Sequence, residues 1–263
     1  MRILPARIQA PKSPFHRRHD PADATGQEGY QRFRACLRWD FGFTCALCLL
    51  HEADLGGGPG VEGLALTGVE HRTPQSADPA LRNVYSNCLY ACRLCNTARG
   101  AKAAQTPSGR LLDPTVDAWA AHFDVVESHL VARDADTDAA YTHVAYDLDD
   151  PRKVERRRVR EEVVDDARSV LDRGPDLLDR LMRWIDANAG SGSSVQAMRD
   201  AEALQANVRA ARRTLVRFAA IPQDAPFVCG CGREAARTLP PQMAEGTWEM
   251  ADLLPSAPAG SPE

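Results

Sequence analysis

Four cysteines in this 263-residue chain fall at a spacing that suits a metal. Cys45-Ala-Leu-Cys48 and Cys92-Arg-Leu-Cys95 are two Cys-x-x-Cys pairs with 43 residues between them. Zinc takes four tetrahedral ligands at about 2.3 Å from sulfur, and one Cys-x-x-Cys turn presents two thiolates to a single ion. Together the pairs predict one structural Zn²⁺ on Cys45, Cys48, Cys92 and Cys95. A thioredoxin-like redox motif is the competing use of such a turn, and it leaves the second pair unexplained. His51, three residues after Cys48, is a substitute ligand that four cysteines make unnecessary. Cys229-Gly-Cys231 lacks a second pair in its half of the chain and reads as a buried or loop cysteine pair before a metal site; Cys36 and Cys88 stand alone.

Between the two pairs lie groups of another kind. Glu70-His71 closes a candidate strand, Asn87 follows a long loop, and Asn96 comes directly after Cys95 in a candidate helix. In order, spacing and expected elements the segment resembles the HNH endonuclease family, which has the ββα-metal fold. The resemblance runs through Tyr30-Gln-Arg-Phe-Arg, Phe43-Thr-Cys-Ala-Leu-Cys, Val69-Glu-His-Arg-Thr-Pro-Gln-Ser and Tyr85-Ser-Asn-Cys-Leu-Tyr-Ala-Cys-Arg-Leu-Cys-Asn-Thr-Ala-Arg-Gly. A weaker echo continues at Leu111-Leu-Asp-Pro and Ala121-His-Phe, so about half the chain is covered.

The resemblance implies a phosphodiesterase chemistry. Attack on phosphorus needs a deprotonated water, a cation to neutralise the developing charge, and held geometry. A histidine suits the base, being largely neutral at cellular pH. The implied base is His71, with Glu70 and Asn96 as oxygen ligands of one Mg²⁺ or Mn²⁺ distinct from the zinc. Asn87 would tie the inter-strand loop to the His71 backbone or ring. The implied products are a 5′-phosphate and a 3′-hydroxyl. This is an HNN variant, with Asn96 where a histidine is common, Glu70 where aspartate is frequent, and Arg72-Thr73 in place of an aromatic-basic pair. Other uses of the same residues stand beside these. Asn96 suits a helix cap as well as a ligand, and Asn83 competes with Asn87 for the loop-holding role. Arg93, Arg99 and Lys102 either grip phosphates of the flanking strand or form a solvated helix face, and Arg17, Arg18, Arg32 and Arg34 share that ambiguity.

The elements that must position these groups are legible in outline. Tyr30, Phe33 and Leu37 fall at helical spacing within Glu28 to Asp40. Glycines at 56, 57, 58 and 60 make a loop, Leu64 to Val69 a strand running into Glu70-His71, and Thr73 to Asn83 a second loop with Pro74 and Pro79. Cys88 to Ala91 suits another strand and Leu94 to Ala104 a helix. Val116 to Phe123 reads as a helix, and Val125-Val126 with Leu130-Val131 as a small hairpin. Asp150-Pro151 is a helix start, with Gly174 as its stop. Asp176 to Ala189 and Ser194 to Ala219 follow as two more helices. The expected fold class is α+β: a zinc-stapled ββα-metal (HNH) module over 28–112 and a mainly helical companion over 113–220. A flexible basic arm over 1–27 precedes the module, and a loose tail over 221–263 follows the companion.

Composition narrows the partners. Residues 1–112 carry 14 Lys/Arg against 9 Asp/Glu, and the remainder 18 against 27, which assigns any polyanion to the front half. DNA is the expected partner, with RNA as a further possibility and the helical region as a place for a protein partner. No run of about 18 apolar residues exists, so no membrane partner is expected. The N-terminal segment lacks a signal-peptide core, which predicts a cytoplasmic protein with reduced cysteines. A zinc-stapled module that binds nucleic acid or protein without cutting is the alternative function.

Overall fold

In the computed structural model, residues 10–24, 29–55, 68–219 and 231 are described. A 3₁₀ turn over Gly29–Phe33 leads into α1 (Arg34–Asp40), and a tight reversal follows, with Gly42 and Phe43 at positive φ. The first cysteine turn comes next, closed by the backbone bonds Cys45 N to Leu50 O (2.8 Å) and Leu49 N to Cys45 O (3.1 Å), and then α2 (Glu52–Leu55). Strands β1 (Gly68–His71) and β2 (Cys88–Ala91) pair antiparallel, Glu70 opposite Leu89 and His71 opposite Cys88. One residue later α3 (Arg93–Arg99) begins, giving the expected strand–strand–helix order. The sequence predicts that helix to Ala104, but it ends at Gly100, whose backbone (φ +49°, ψ −131°) lies in a region that favours glycine.

Short strands β3 (Gln105–Thr106) and β4 (Gly109–Arg110) follow, then α4 (Trp119–His122), β5 (Phe123–Val126) and β6 (His129–Ala132). The hairpin β5–β6 is the expected one, and its two turn residues Glu127 and Ser128 both have positive φ, as a type I′ turn requires. Only four residues of the helix predicted over 116–123 form. Asp117 instead bonds Arg110 and the Asp113 amide (2.7 Å), and Asp113 takes the Thr115 amide, which holds this stretch in turns. Helix α5 (Thr137–Tyr146), capped by Asp136 on Ala139 N, has no counterpart in the expectations.

The long hairpin departs most from the sequence reading. Helix α6 (Pro151–Ala187) starts at Asp150-Pro151 as expected but runs through Gly174 and Pro175, so the two predicted helices are one. α7 (Gly192–Ala219) packs back along it. Gly174 marks close packing here and not a stop, since a Cβ there would lie 2.6 Å from Val208 Cγ2. Gly174→Val should therefore overpack this contact and cost about 1–3 kcal/mol, a fall of about 3–10 °C in a thermal melt. Gly192→Ala, with no neighbour within 4 Å, should melt no lower than the parent.

The boundary expected at 112/113 is not a break in the core. Trp119, Phe123, Leu130, Tyr146 and Leu148 join Phe33, Leu37, Phe41, Leu89, Tyr90 and the cysteines in one buried cluster. Trp119 Nε1 donates to Leu47 O (3.1 Å), and the fully buried Arg157 of α6 donates to Cys48 O (3.1 Å), Ser128 O (2.5 Å) and Leu148 O (3.0 Å). The described part of the expected flexible arm, residues 10–24, is likewise part of the fold. Phe15 is buried and its amide donates to Pro114 O (2.8 Å), while Ala24 N donates to Asn83 O (3.0 Å). Arg17 donates to Cys88 O (2.6 Å) and lies over the Tyr85 and Phe41 rings, a structural use of a residue read as a phosphate contact. An extended strap has no periodicity, which is why its packing leaves no mark on the sequence. The tail over 221–263 lies outside the described residues apart from Cys231. Among the described residues no helix is long and apolar enough to cross a membrane.

Candidate metal centre and active site

The two cysteine turns meet. One sulfur from each of Cys45, Cys48, Cys92 and Cys95 lies within 4.8 Å of the other three, and all four residues are buried. Cys48 and Cys92 sulfurs are 3.6 Å apart, close to the edge of about 3.8 Å expected for a tetrahedron of sulfurs 2.3 Å from zinc. Backbone amides face the sulfurs: Cys92 N donates to Cys45 Sγ (3.3 Å) and Cys95 N to Cys92 Sγ (3.4 Å). Four soft donors and no open position suit a structural zinc. Such a centre carries a net double negative charge, and two buried cations of α6 offset it. Burial works to lower the Lys153 pKa, but the field of Cys95, Cys48, Cys92 and Cys45 outweighs it and holds the ammonium charged. Lys153 Nζ also donates to Tyr146 O (2.6 Å) and Asp147 O (2.7 Å), and Arg157 lies in the field of Cys48. These two residues were invisible to spacing arguments, because they lie more than fifty positions beyond the last ligand. His51 is not in the cluster.

His71, the last residue of β1, has its ring fixed on both sides. Nε2 is 2.9 Å from Arg82 O, and since a carbonyl only accepts, that nitrogen carries the proton. Nδ1 is left as the lone-pair nitrogen, 3.3 Å from the Gln75 amide nitrogen that donates to it. Tyr30 stacks edge-on at 4.5 Å. Burial lowers the His71 pKa, and the Arg82 charge adds to that against the opposing effect of its carbonyl, so the imidazole is neutral near pH 7. Asn87 does hold the loop, but on Thr73 and Leu81 and not on His71. Its Oδ1 accepts from Thr73 N (2.8 Å), and its Nδ2 donates to Thr73 O and Leu81 O (both 3.1 Å). Its link to His71 runs through Arg82, the neighbour of Leu81, whose carbonyl meets the imidazole. Asn83 does not share this role; its carbonyl accepts from Ala24.

Adjacent residues of a strand face opposite sides, so Glu70 turns away from His71 toward α3. Asn96 lies over the same face: a Cβ on Gly68 would be 3.1 Å from Asn96 Nδ2. Asn96 sits in the body of α3, whose N-cap is Cys92, so it does not cap the helix. Arg99, one turn on, corrects the expectation of a surface phosphate contact. It is fully buried against the Tyr146 hydroxyl, and among the described residues no carboxylate or carbonyl accepts from its guanidinium. Burial pushes the Glu70 carboxyl up to about 8, against the Arg99 charge and the His71 amide, which pull it down. Tyr146 of α5 is close enough to both to feel their charge, and burial, the larger effect, raises its hydroxyl pKa. Arg93 and Lys102 are exposed, as the phosphate-contact reading requires, with Lys102 Nζ donating to Ala98 O. One carboxylate and one amide oxygen are a donor set of the kind Mg²⁺ or Mn²⁺ takes, with waters and phosphate oxygens filling the remaining positions. Compared with models of protein families, with curated proteins and with solved structures, the chain matches none.

Proposed function

We propose that the chain is a metal-dependent endonuclease of the HNH type that hydrolyses phosphodiester bonds of DNA. The observation that supports the reading best is the meeting of β1 and α3, where Glu70 and Asn96 share one face of the strand and the His71 imidazole stands at its end. The neutral His71, one residue along the strand, supplies the base.

A phosphodiester laid across the end of β1 meets both faces of the strand. With water in place of the Gln75 amide at Nδ1, His71 takes a proton from that water, and the imidazolium that forms keeps its Nε2–H on Arg82 O. The water oxygen bonds to phosphorus, the bond from phosphorus to the 3′ oxygen breaks, and that oxygen takes a proton from solvent water. The products are a 5′-phosphate and a 3′-hydroxyl. Glu70 and Asn96 would hold a divalent ion, which when bound supplies Lewis-acid stabilisation of the phosphorane charge. Asn87 keeps the loop from Thr73 to Leu81 closed, and with it the carbonyl that orients the base.

Supercoiled plasmid incubated with purified protein and Mg²⁺ or Mn²⁺ should be converted to open circles, and a chelator should stop the reaction. Binding should weaken steeply with salt, because backbone phosphates dominate the affinity. Retarded DNA in a gel with no nicking under either ion would replace this reading with a non-cutting binding module.

A further inference from the structure

A second convergence of metal-binding side chains joins three distant parts of the chain. His19 lies in the N-terminal strap, Cys36 on α1, and Cys231 near the C-terminal end, and one donor atom of each lies within 4.8 Å of the others. His19 Nδ1 is 3.3 Å from Cys231 Sγ, across 212 positions of sequence. His19 and Cys36 are buried and Cys231 is half-buried. The Cys36 sulfur accepts the Cys231 backbone amide, the same amide-to-sulfur contact found in the four-cysteine centre.

The placement of His19 is built, not incidental. Asp40 follows Cys36 by one helical turn, on the same face of α1. Its Oδ1 accepts the backbone amides of Arg18 (2.9 Å) and His19 (3.2 Å), and its Oδ2 accepts the Tyr85 hydroxyl (2.6 Å). Asp40 therefore clamps the strap to α1 at the residue that faces Cys36. An imidazole nitrogen and two thiolates are soft, borderline donors, and their separation suits an ion with bonds of about 2.0–2.3 Å.

We propose that His19, Cys36 and Cys231 hold a second zinc-class ion in the reduced chain, one that fastens the C-terminal segment to the strap and α1. The fourth position falls to water. Cys231 is disulfide-bonded in this structure, so the metal form requires reduction. A phosphine reduces the bond with one water, giving two thiols and the phosphine oxide. Zinc then displaces the thiol protons of Cys36 and Cys231. The inference does not depend on the nuclease reading.

The test is zinc content by mass spectrometry on the full chain, reduced with a water-soluble phosphine, supplied with zinc and dialysed. About two ions per chain are expected in the reduced protein and about one in the oxidised protein. Cys36→Ser and His19→Ala should each lower the reduced value to about one, with the four-cysteine ion retained. Cys231→Ser, at a half-buried position, gives the same reading if the core variants fail to fold. Cobalt in place of zinc adds an independent readout, since Cys231→Ser should remove part of the sulfur-to-cobalt absorption. One zinc per reduced chain would overturn the proposal, as would two that survive Cys231→Ser.

Discussion

Cys92→Ser is expected to release the zinc of the four-cysteine centre and to abolish the cooperative melt of the chain. A structural zinc site contributes about 10–16 kcal/mol of apparent binding free energy, which is folding free energy when the site exists only in the folded state. Whole domains are stable by only about 5–15 kcal/mol, so the loss is of the order of the total. The local setting adds to it. Cys92 caps α3 and accepts the Cys95 amide, and its sulfur sits in the same buried cluster as Phe41, Leu47 and Tyr90. Without the ion, Lys153 and Arg157 are left as buried cations with no charge to offset, and an uncompensated buried charge is strongly destabilising. Cys88→Ser supplies the contrast. Cys88 is equally buried, but its sulfur faces Val84 O (3.4 Å) and not the metal cluster. That variant should keep its zinc and melt cooperatively at a somewhat lower temperature. Metal analysis and circular dichroism read both outcomes, and a Cys92→Ser protein that melts like its parent would exclude the centre as a staple.

His71→Ala should lower plasmid nicking about 10²–10⁴-fold, the usual contribution of a general base, while zinc content stays the same. The melting temperature should fall only slightly. The ring fills space against Tyr30 and bonds Arg82 O, but it lies at the end of a four-residue strand, away from the cysteine cluster. Added imidazole should restore part of the rate in this variant and leave the parent unaffected, an effect that a purely structural histidine would not show. Nicking by His71→Ala at the parental rate would remove His71 from the chemistry, and with it the mechanism derived above.

Part of the candidate site is written locally, and that part reads correctly. Cys-x-x-Cys is a turn motif, so its ligands are set by neighbours two and three residues away. The strand from Cys88 to Ala91 forms over the predicted residues, and so does the β5–β6 hairpin, because strand propensity and a two-residue turn are short-range effects. The Asp150-Pro151 start of α6 belongs to the same class. Errors cluster where a local signal met a distant neighbour. Gly174 carries the mark of a helix end, but the approach of Val208 gives it another use, and packing against α7 carries the helix past Pro175. Arg99 has the appearance of a surface cation until β1 and α5 enclose it.

What the order of residues specified without help is the ligand quartet, the strand–strand–helix succession that carries Glu70, His71 and Asn96, and the basic bias of the front half. Folding in three dimensions settled which way each of those side chains faces, and which remote groups complete it. Arg82 lends its carbonyl to His71, Lys153 and Arg157 balance the sulfurs, and Asp40 sets His19 against Cys36. The division has a simple cause. Turns, caps and propensities are interactions among neighbours a few residues apart, whereas burial and charge compensation depend on whatever the collapsed chain brings alongside, here from as far as 212 positions away.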